Sequence, residues 1–219
     1  RHRLRELEMV RRLREDMAGS IHPYFQPVVA MADPLAPVVA AEALARWDDP
    51  ALGVVPPEEF VEVCERHGLI GELGDVMLSK VLAQLEEWHA IGAPLQVAVN
   101  VSWLQLRDEA CMARMRAALA RVPHLAPWLV LEVTEGVLAD DEDAAACLHE
   151  LRELGVVTAI DDFGTGASTL TRLRYLPVDV LKVDRDLVVE VGEDPSADSI
   201  LDLVRQLGAG LGLTVIVEG

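Results

Sequence analysis

The chain has 219 residues, 51% of them hydrophobic, and its 37 acidic against 19 basic residues give a formal net charge of −18. That much apolar content excludes a disordered chain and allows a single large core. The charge excludes a broad nucleic-acid-binding surface, because a phosphate backbone would be repelled over most of the protein.

Residues 1–19 read as an amphipathic helix, with Leu4, Leu7, Val10, Leu13 and Met17 at helical spacing among Arg1, Arg3, Arg5, Arg11, Arg12 and Arg14, ending near Gly19. The preferred reading is a connector from an upstream module; the alternative is an ordinary helix packed on the domain. Interspersed acids and the lack of aromatics argue against DNA binding by these arginines.

From residue 20 to 219 the chain reads as one domain in which short apolar strands alternate with helices. Strands are predicted at about 24–30, 38–43, 96–101, 128–133, 156–160, 178–182 and 214–217. Helices are predicted over Pro57–His67, Glu72–Ile91, Arg107–Arg121, Asp141–Leu154 and Ser196–Leu207. Pro56-Pro57-Glu58-Glu59 suits a helix start, and Gly68, Gly92 and Gly155 suit stops. The acidic run Asp140 to Asp143 starts a helix more readily than it binds a ligand. This rhythm predicts parallel βαβ units.

Cys64, Cys111 and Cys147 are odd in number and far apart, which fits a reducing, cytoplasmic setting. No apolar run reaches the roughly 18 residues of a membrane span. Direct membrane insertion by this segment is therefore not expected, although an anchor could lie upstream.

Most of the predicted strands share one property: they end in acids or amides. Ile160-Asp161-Asp162-Phe163-Gly164-Thr165-Gly166 sets two adjacent carboxylates where an apolar strand meets a glycine-flanked turn, and Glu42, Asn100, Glu132 and Glu218 close other apolar runs. Taken singly, each has an ordinary explanation. Glu42 could be an exposed edge residue, Asn100 a turn cap, Asp161-Asp162 turn chemistry, and Lys182 a surface partner of Asp184. Together they describe one rim of oxygen donors, and closely grouped carboxylates repel one another unless cations neutralise them. A closed barrel gathers strand ends into such a ring, so a TIM-like (β/α)8 barrel is predicted, its C-terminal part apparently missing because only seven strands are found. Six oxygen ligands with one lysine and one arginine fit two-metal phosphodiester hydrolysis. Six histidines with no H-x-x-x-H or His-Asp pair disfavour zinc chemistry.

Ala41-Glu42-Ala43-Leu44-Ala45-Arg46-Trp47 resembles the signature of the EAL-domain phosphodiesterases of bacterial cyclic di-GMP signalling. The resemblance extends through Phe25-Gln26-Pro27-Val28-Val29, Val99-Asn100-Val101-Ser102 with Gln105-Leu106, Leu131-Glu132-Val133-Thr134-Glu135, Asp161 to Gly166, Leu176-Pro177-Val178-Asp179 with Leu181-Lys182-Val183-Asp184, and Val217-Glu218-Gly219. It implies that Glu42, Asn100, Glu132 and Asp161 hold one Mg²⁺ or Mn²⁺, and that Asp161, Asp162 and Glu218 hold a second. It implies further that Lys182 orients or deprotonates the attacking water, that Glu135 steadies the loop after Asp162, and that Gln26, Leu44 and Arg46 contact the dinucleotide. The implied reaction is hydrolysis of cyclic di-GMP to linear pGpG; the alternative is a catalytically inactive receptor domain that binds cyclic di-GMP. The resemblance also implies a homodimer with contacts near Thr171 and Tyr175, and an upstream sensor or GGDEF-type module. Ala41 and Ala167 depart from the family's frequent glycine and aromatic residue, and the family continues past Gly219 with a further helix, strand and glutamine.

Overall fold

The computed structural model describes residues 2–31, 35–134, 142–164, 173 and 176–218. The chain divides into two compact units, Arg1–Leu129 and Val130–Gly219. In the first, helix α1 (His2–Ser20) leads into strands β1 (Ile21–Val29), β2 (Val38–Asp49) and β3 (Gly53–Val55), followed by α2 (Pro57–Arg66), α3 (Ile70–Ala90), β4 (Gln96–Asn100), α4 (Trp103–Arg107) and α5 (Glu109–Arg121). The second carries β5 (Leu129–Thr134, its first residue at the boundary), α6 (Glu142–Glu153), β6 (Val157–Phe163), β7 (Val180–Val183), α7 (Pro195–Leu211) and β8 (Thr214–Val217).

The parallel expectation holds from β2 onward: β2 pairs parallel with β4, and β5 through β8 run parallel in order. It fails at the start, where β1 and β2 form an antiparallel hairpin. The reason is chain length. The eight residues between Val29 and Val38 are too few for a crossover helix, so only a hairpin return is open to them. Ala30 N–H donates to the Pro37 carbonyl at 3.0 Å and closes it. Strand β2 also runs six residues beyond the predicted end at Ala43, because Leu44 to Trp47 pair back onto Tyr24 to Ile21 and Trp47 to Asp49 pair with β3.

The helix predicted over Arg107–Arg121 begins at Glu109, and a short helix the sequence did not announce, α4 at Trp103–Arg107, precedes it. Asp108 adopts extended backbone between α4 and α5 and accepts hydrogen bonds from Ala110 and Cys111 N–H. Capping the second helix in this way satisfies otherwise orphaned donors and breaks the first.

The core of the first unit centres on Trp47, 1% exposed, whose ring meets Phe60 edge-on at 5.8 Å. Helix α1 contributes Met9, Leu13 and Met17 to it. Ion pairs hold the rest of that helix: Arg5 to Glu59 at 2.6 Å, Arg66 to Glu6 at 3.0 Å, and Arg12 to buried Asp49 at 3.1 Å. Lys80 on α3 donates from Nζ to the carbonyls of Ala18 and Ile21 at 2.7 and 2.5 Å, fixing the α1–β1 junction. In the second unit Leu131, Val133, Leu148, Leu151, Ile160 and Leu181 are buried. There Asp179 accepts from Thr158 N–H at 3.0 Å and from Arg152 at 2.6 Å, which pins the start of β6 to the turn before β7.

Candidate functional site

Strand alternation decides which side chains of the first unit share a face. Along β2, Ala41, Ala43 and Trp47 are buried, whereas Glu42, Leu44 and Arg46 are half-buried. Gln26 stands directly across from Glu42 in the β1–β2 register, and directly opposed residues of an antiparallel pair lie on the same side of the sheet. Glu42, Leu44, Arg46 and Gln26 therefore form one row on the face away from the buried alanines and Trp47. Arg46 donates from Nη1 to the Ala45 carbonyl at 2.9 Å.

Strand β4 brings Asn100 to this row. Ala98 is the register partner of Glu42, so Asn100 lies one pleat further on, and its Nδ2 donates to Glu42 Oε1 at 3.0 Å. Asn100 is therefore not the cap of the turn that follows; Ser102 is. Its Oγ accepts from Leu104 N–H, while the Gln105 side chain accepts from Ser102 N–H at 3.0 Å, a reciprocal capping box. Ser102 Oγ also donates to Glu65 Oε1 at 2.5 Å. Nothing in the sequence reading assigned Ser102 or Gln105 this supporting role, although the S-x-x-Q spacing was legible.

The second unit places its polar residues at the C-terminal ends of four consecutive parallel strands. Glu132 on β5 and Asp161 on β6 are 2% and 8% exposed, Lys182 on β7 is 3% exposed, and half-buried Glu218 follows β8. Glu218 N–H donates to the Val183 carbonyl at 3.1 Å, extending the ladder one step. Lys182 Nζ sits among the three carboxylates: 3.0 Å from Glu132 Oε2, 3.1 Å from Asp161 Oδ1 and 2.7 Å from Glu218 Oε1. Lys182 thus makes no surface pair with Asp184, which instead caps the short turn at Arg185–Leu187 by accepting from Asp186 N–H.

Asp162 breaks the strand rule. Its φ of 56° is left-handed, and the β6–β7 register shifts between Ile160 and Phe163, so the strand bulges at the paired aspartates. Asp and Asn tolerate this region better than other non-glycine residues, and bulges re-aim side chains next to functional sites. Asp161 Oδ1 accepts from Asp162 N–H at 3.0 Å and steadies the bend. Gly164 follows at φ 105°, where an added Cβ would run into the Leu187 side chain.

The donor set of the second unit fits a cation. Three carboxylates face one ammonium, leaving two formal negative charges in a largely buried cluster if all are ionised. Carboxylate oxygens are the ligands of hard divalent ions, and a dication would balance that excess. Of the other residues expected at the site, Glu135 lies outside the described residues, as do Ala167, Thr171 and Tyr175.

The EAL domain family pattern matches residues 10–219. Cyclic di-GMP phosphodiesterase PA2567 of Pseudomonas aeruginosa is 38% identical over 200 residues, which is 90% of this chain and 34% of the relative. Cyclic di-GMP phosphodiesterase NbdA of the same species is 37% identical over 217 residues, 98% of this chain and 28% of that one. The chain therefore spans about a third or less of the length of these relatives. A solved structure of PaMucR phosphodiesterase in complex with c-di-GMP matches 98% of this chain and 86% of its own, with a TM-score of 0.87 at 34% identity. The EAL domain of Mycobacterium smegmatis DcpA matches 92% and 80%, with a TM-score of 0.72 at 31% identity. The TIM-like α/β fold class expected from the sequence is the class this chain shares with them.

Proposed function

This chain belongs to the EAL domain family, and from that premise we propose that it catalyses the metal-dependent hydrolysis of cyclic di-GMP to linear pGpG. The observation that carries the reading is the presence of every expected ligand among the described residues, with buried Glu132 and Asp161 and half-buried Glu218 gathered around Lys182. A lysine placed among the proposed metal ligands suits the handling of a metal-bound water, a task that binding the dinucleotide alone does not require. The names of the relatives and the c-di-GMP complex of PaMucR support the substrate.

In this reading Glu42, Asn100, Glu132 and Asp161 hold one Mg²⁺ or Mn²⁺, and Asp161, Asp162 and Glu218 a second. Bound ions would supply a water of lowered pKa and neutralise the charge that develops on the phosphoryl oxygens. Lys182 orients that water and takes part in moving its proton. Arg46 pairs with a phosphate, which its planar fork suits, while Gln26 and Leu44 contact the dinucleotide. Water adds to phosphorus as one P–O3′ bond breaks, and the departing 3′ oxygen receives a proton, giving pGpG. Glu135 is proposed to steady the loop after Asp162.

The same reading proposes a homodimer and, in the longer protein, an upstream sensor or GGDEF-type module reached through α1. Among the described residues no helix is long and apolar enough to cross a membrane; a cytoplasmic setting is proposed from the odd number and wide sequence spacing of Cys64, Cys111 and Cys147. The deciding experiment incubates the chain with cyclic di-GMP and either Mg²⁺ or Mn²⁺, with a chelator control, and measures binding calorimetrically in Ca²⁺. Chelator-sensitive release of pGpG is expected. Tight binding without product in either metal would establish the receptor instead.

A further inference from the structure

The row of proposed substrate contacts on the first unit has a member that no motif identified. The β1–β2 register is unbroken from Ile21 to Val28 and sets Gln26 across from Glu42, Tyr24 across from Leu44, and His22 across from Arg46. Tyr24 therefore occupies the middle of a two-strand grid in which Gln26 and Glu42 lie on one side and Arg46 on the other. Direct cross-strand partners and alternate residues of one strand share a face, so Tyr24 shares the face of Gln26, Glu42, Leu44 and Arg46.

The opposite face is occupied. Ile21, Ala41, Ala43 and Trp47 are buried there, and Phe25 meets Trp88 of α3 at 5.1 Å between ring centroids. Tyr24, by contrast, is 64% exposed. A phenol ring held in mid-strand, beside an aliphatic side chain and two residues from an arginine's register position, is a stacking platform. It has a flat apolar surface, few rotatable bonds to freeze, and a rigid backbone under it.

We infer that Tyr24 is a further substrate-binding residue of this chain, stacking against one purine base of the cyclic dinucleotide while Arg46 engages phosphate. The inference rests on the proposed reaction and adds a residue to its binding surface. Base–aromatic stacking is sequence-tolerant, because every base has a π-face, so Tyr24 contributes affinity rather than choice of base.

The test compares the parent chain with Tyr24→Ala, Tyr24→Thr and Tyr24→Phe by calorimetric titration with cyclic di-GMP in Ca²⁺ and by steady-state hydrolysis in Mn²⁺. Tyr24→Ala should weaken binding about 5- to 100-fold and raise KM in step, with kcat little changed. Tyr24→Phe should stay within about two-fold of the parent, since the ring survives. Tyr24→Thr keeps strand propensity and should match Ala, separating loss of the ring from loss of the strand. If the parent binds and the Ala and Thr variants bind equally well, Tyr24 is no contact. If Phe loses as much as Ala, the hydroxyl and not the ring is responsible, and stacking is wrong. Failure of the parent itself to bind or cleave would overturn the proposed function, and this inference with it.

Discussion

Lys182 Nζ lies 3.0 Å from Glu132 Oε2, and the two side chains are 3% and 2% exposed. An ion pair so sealed gains little by itself, because desolvating both charges offsets their attraction. Removing one partner is different. It strands a buried charge, and here Asp161 and Glu218 add to the excess.

Lys182→Ala should therefore lower the metal-free unfolding free energy by about 3–5 kcal/mol and lower turnover about 10²-fold or more, while binding of cyclic di-GMP in Ca²⁺ persists. Added Mn²⁺ should raise the melting temperature of the variant more than that of the parent, since the ions take over neutralisation. Urea titrations with and without Mn²⁺ check this; identical metal-free midpoints would contradict it.

Asp161→Asn and Arg46→Ala should fail in distinct ways. Asp161→Asn removes charge from the position shared by both proposed ions, so metal-dependent cleavage should fall to background. Arg46→Ala removes a contact made before and during reaction, so substrate affinity and kcat/KM should drop together. Product assays alongside calorimetry separate the two; full turnover by Asp161→Asn would reject the ligand assignment.

Gly164 combines a φ of 105° with the tip of the Leu187 side chain standing where a methyl group would go, so the leucine would have to shift. Gly164→Ala should cost on the order of 1–3 kcal/mol, the usual range for a strained backbone position. Adding Leu187→Ala to it should relieve the steric part and leave the backbone part. A double variant no more stable than the sum of its singles would show that the two residues do not meet.

Asp49 offers a pH test away from the site. Burial pushes its carboxyl up, but hydrogen bonds from Leu52 and Ala51 N–H and the Arg12 guanidinium outweigh that and hold it below the ordinary aspartate value. A depressed carboxylate contributes stability that is complete above the unfolded-state value near 4 and is lost as pH falls through the folded one. Asp49→Asn should consequently flatten the decline in denaturation midpoint below about pH 4. A parallel decline in both proteins would count against it.

Much of the site was legible because each expected ligand interrupts an apolar run: Glu42 between alanines, Glu132 after Leu129 to Leu131, Lys182 after Val180-Leu181. A polar group that ends a strand announces itself by contrast. What hid was set by pairing rather than composition. The extension of β2 past Ala43 mixes apolar Leu44, Ala45 and Trp47 with Arg46, Asp48 and Asp49, too irregular a pattern to mark a strand, and it exists because β1 and β3 supply partners on the chain's return. The antiparallel start followed from the length of the 30–37 connection, which the general rhythm of the chain obscured. The helix break at Asp108 needed cap geometry, and the bulge at Asp161-Asp162 became visible only as a register shift.

The left-handed backbone at Asp162 also limits how this position can evolve. Glycine and asparagine tolerate such a φ best apart from aspartate itself, and in the genetic code both lie one base transition from an aspartate codon. Either change would delete a carboxylate from the proposed metal site at little conformational cost. If the proposed metal role holds, an active enzyme and a silent ligand-binding descendant are then separated by a single nucleotide, and the same single step leads back.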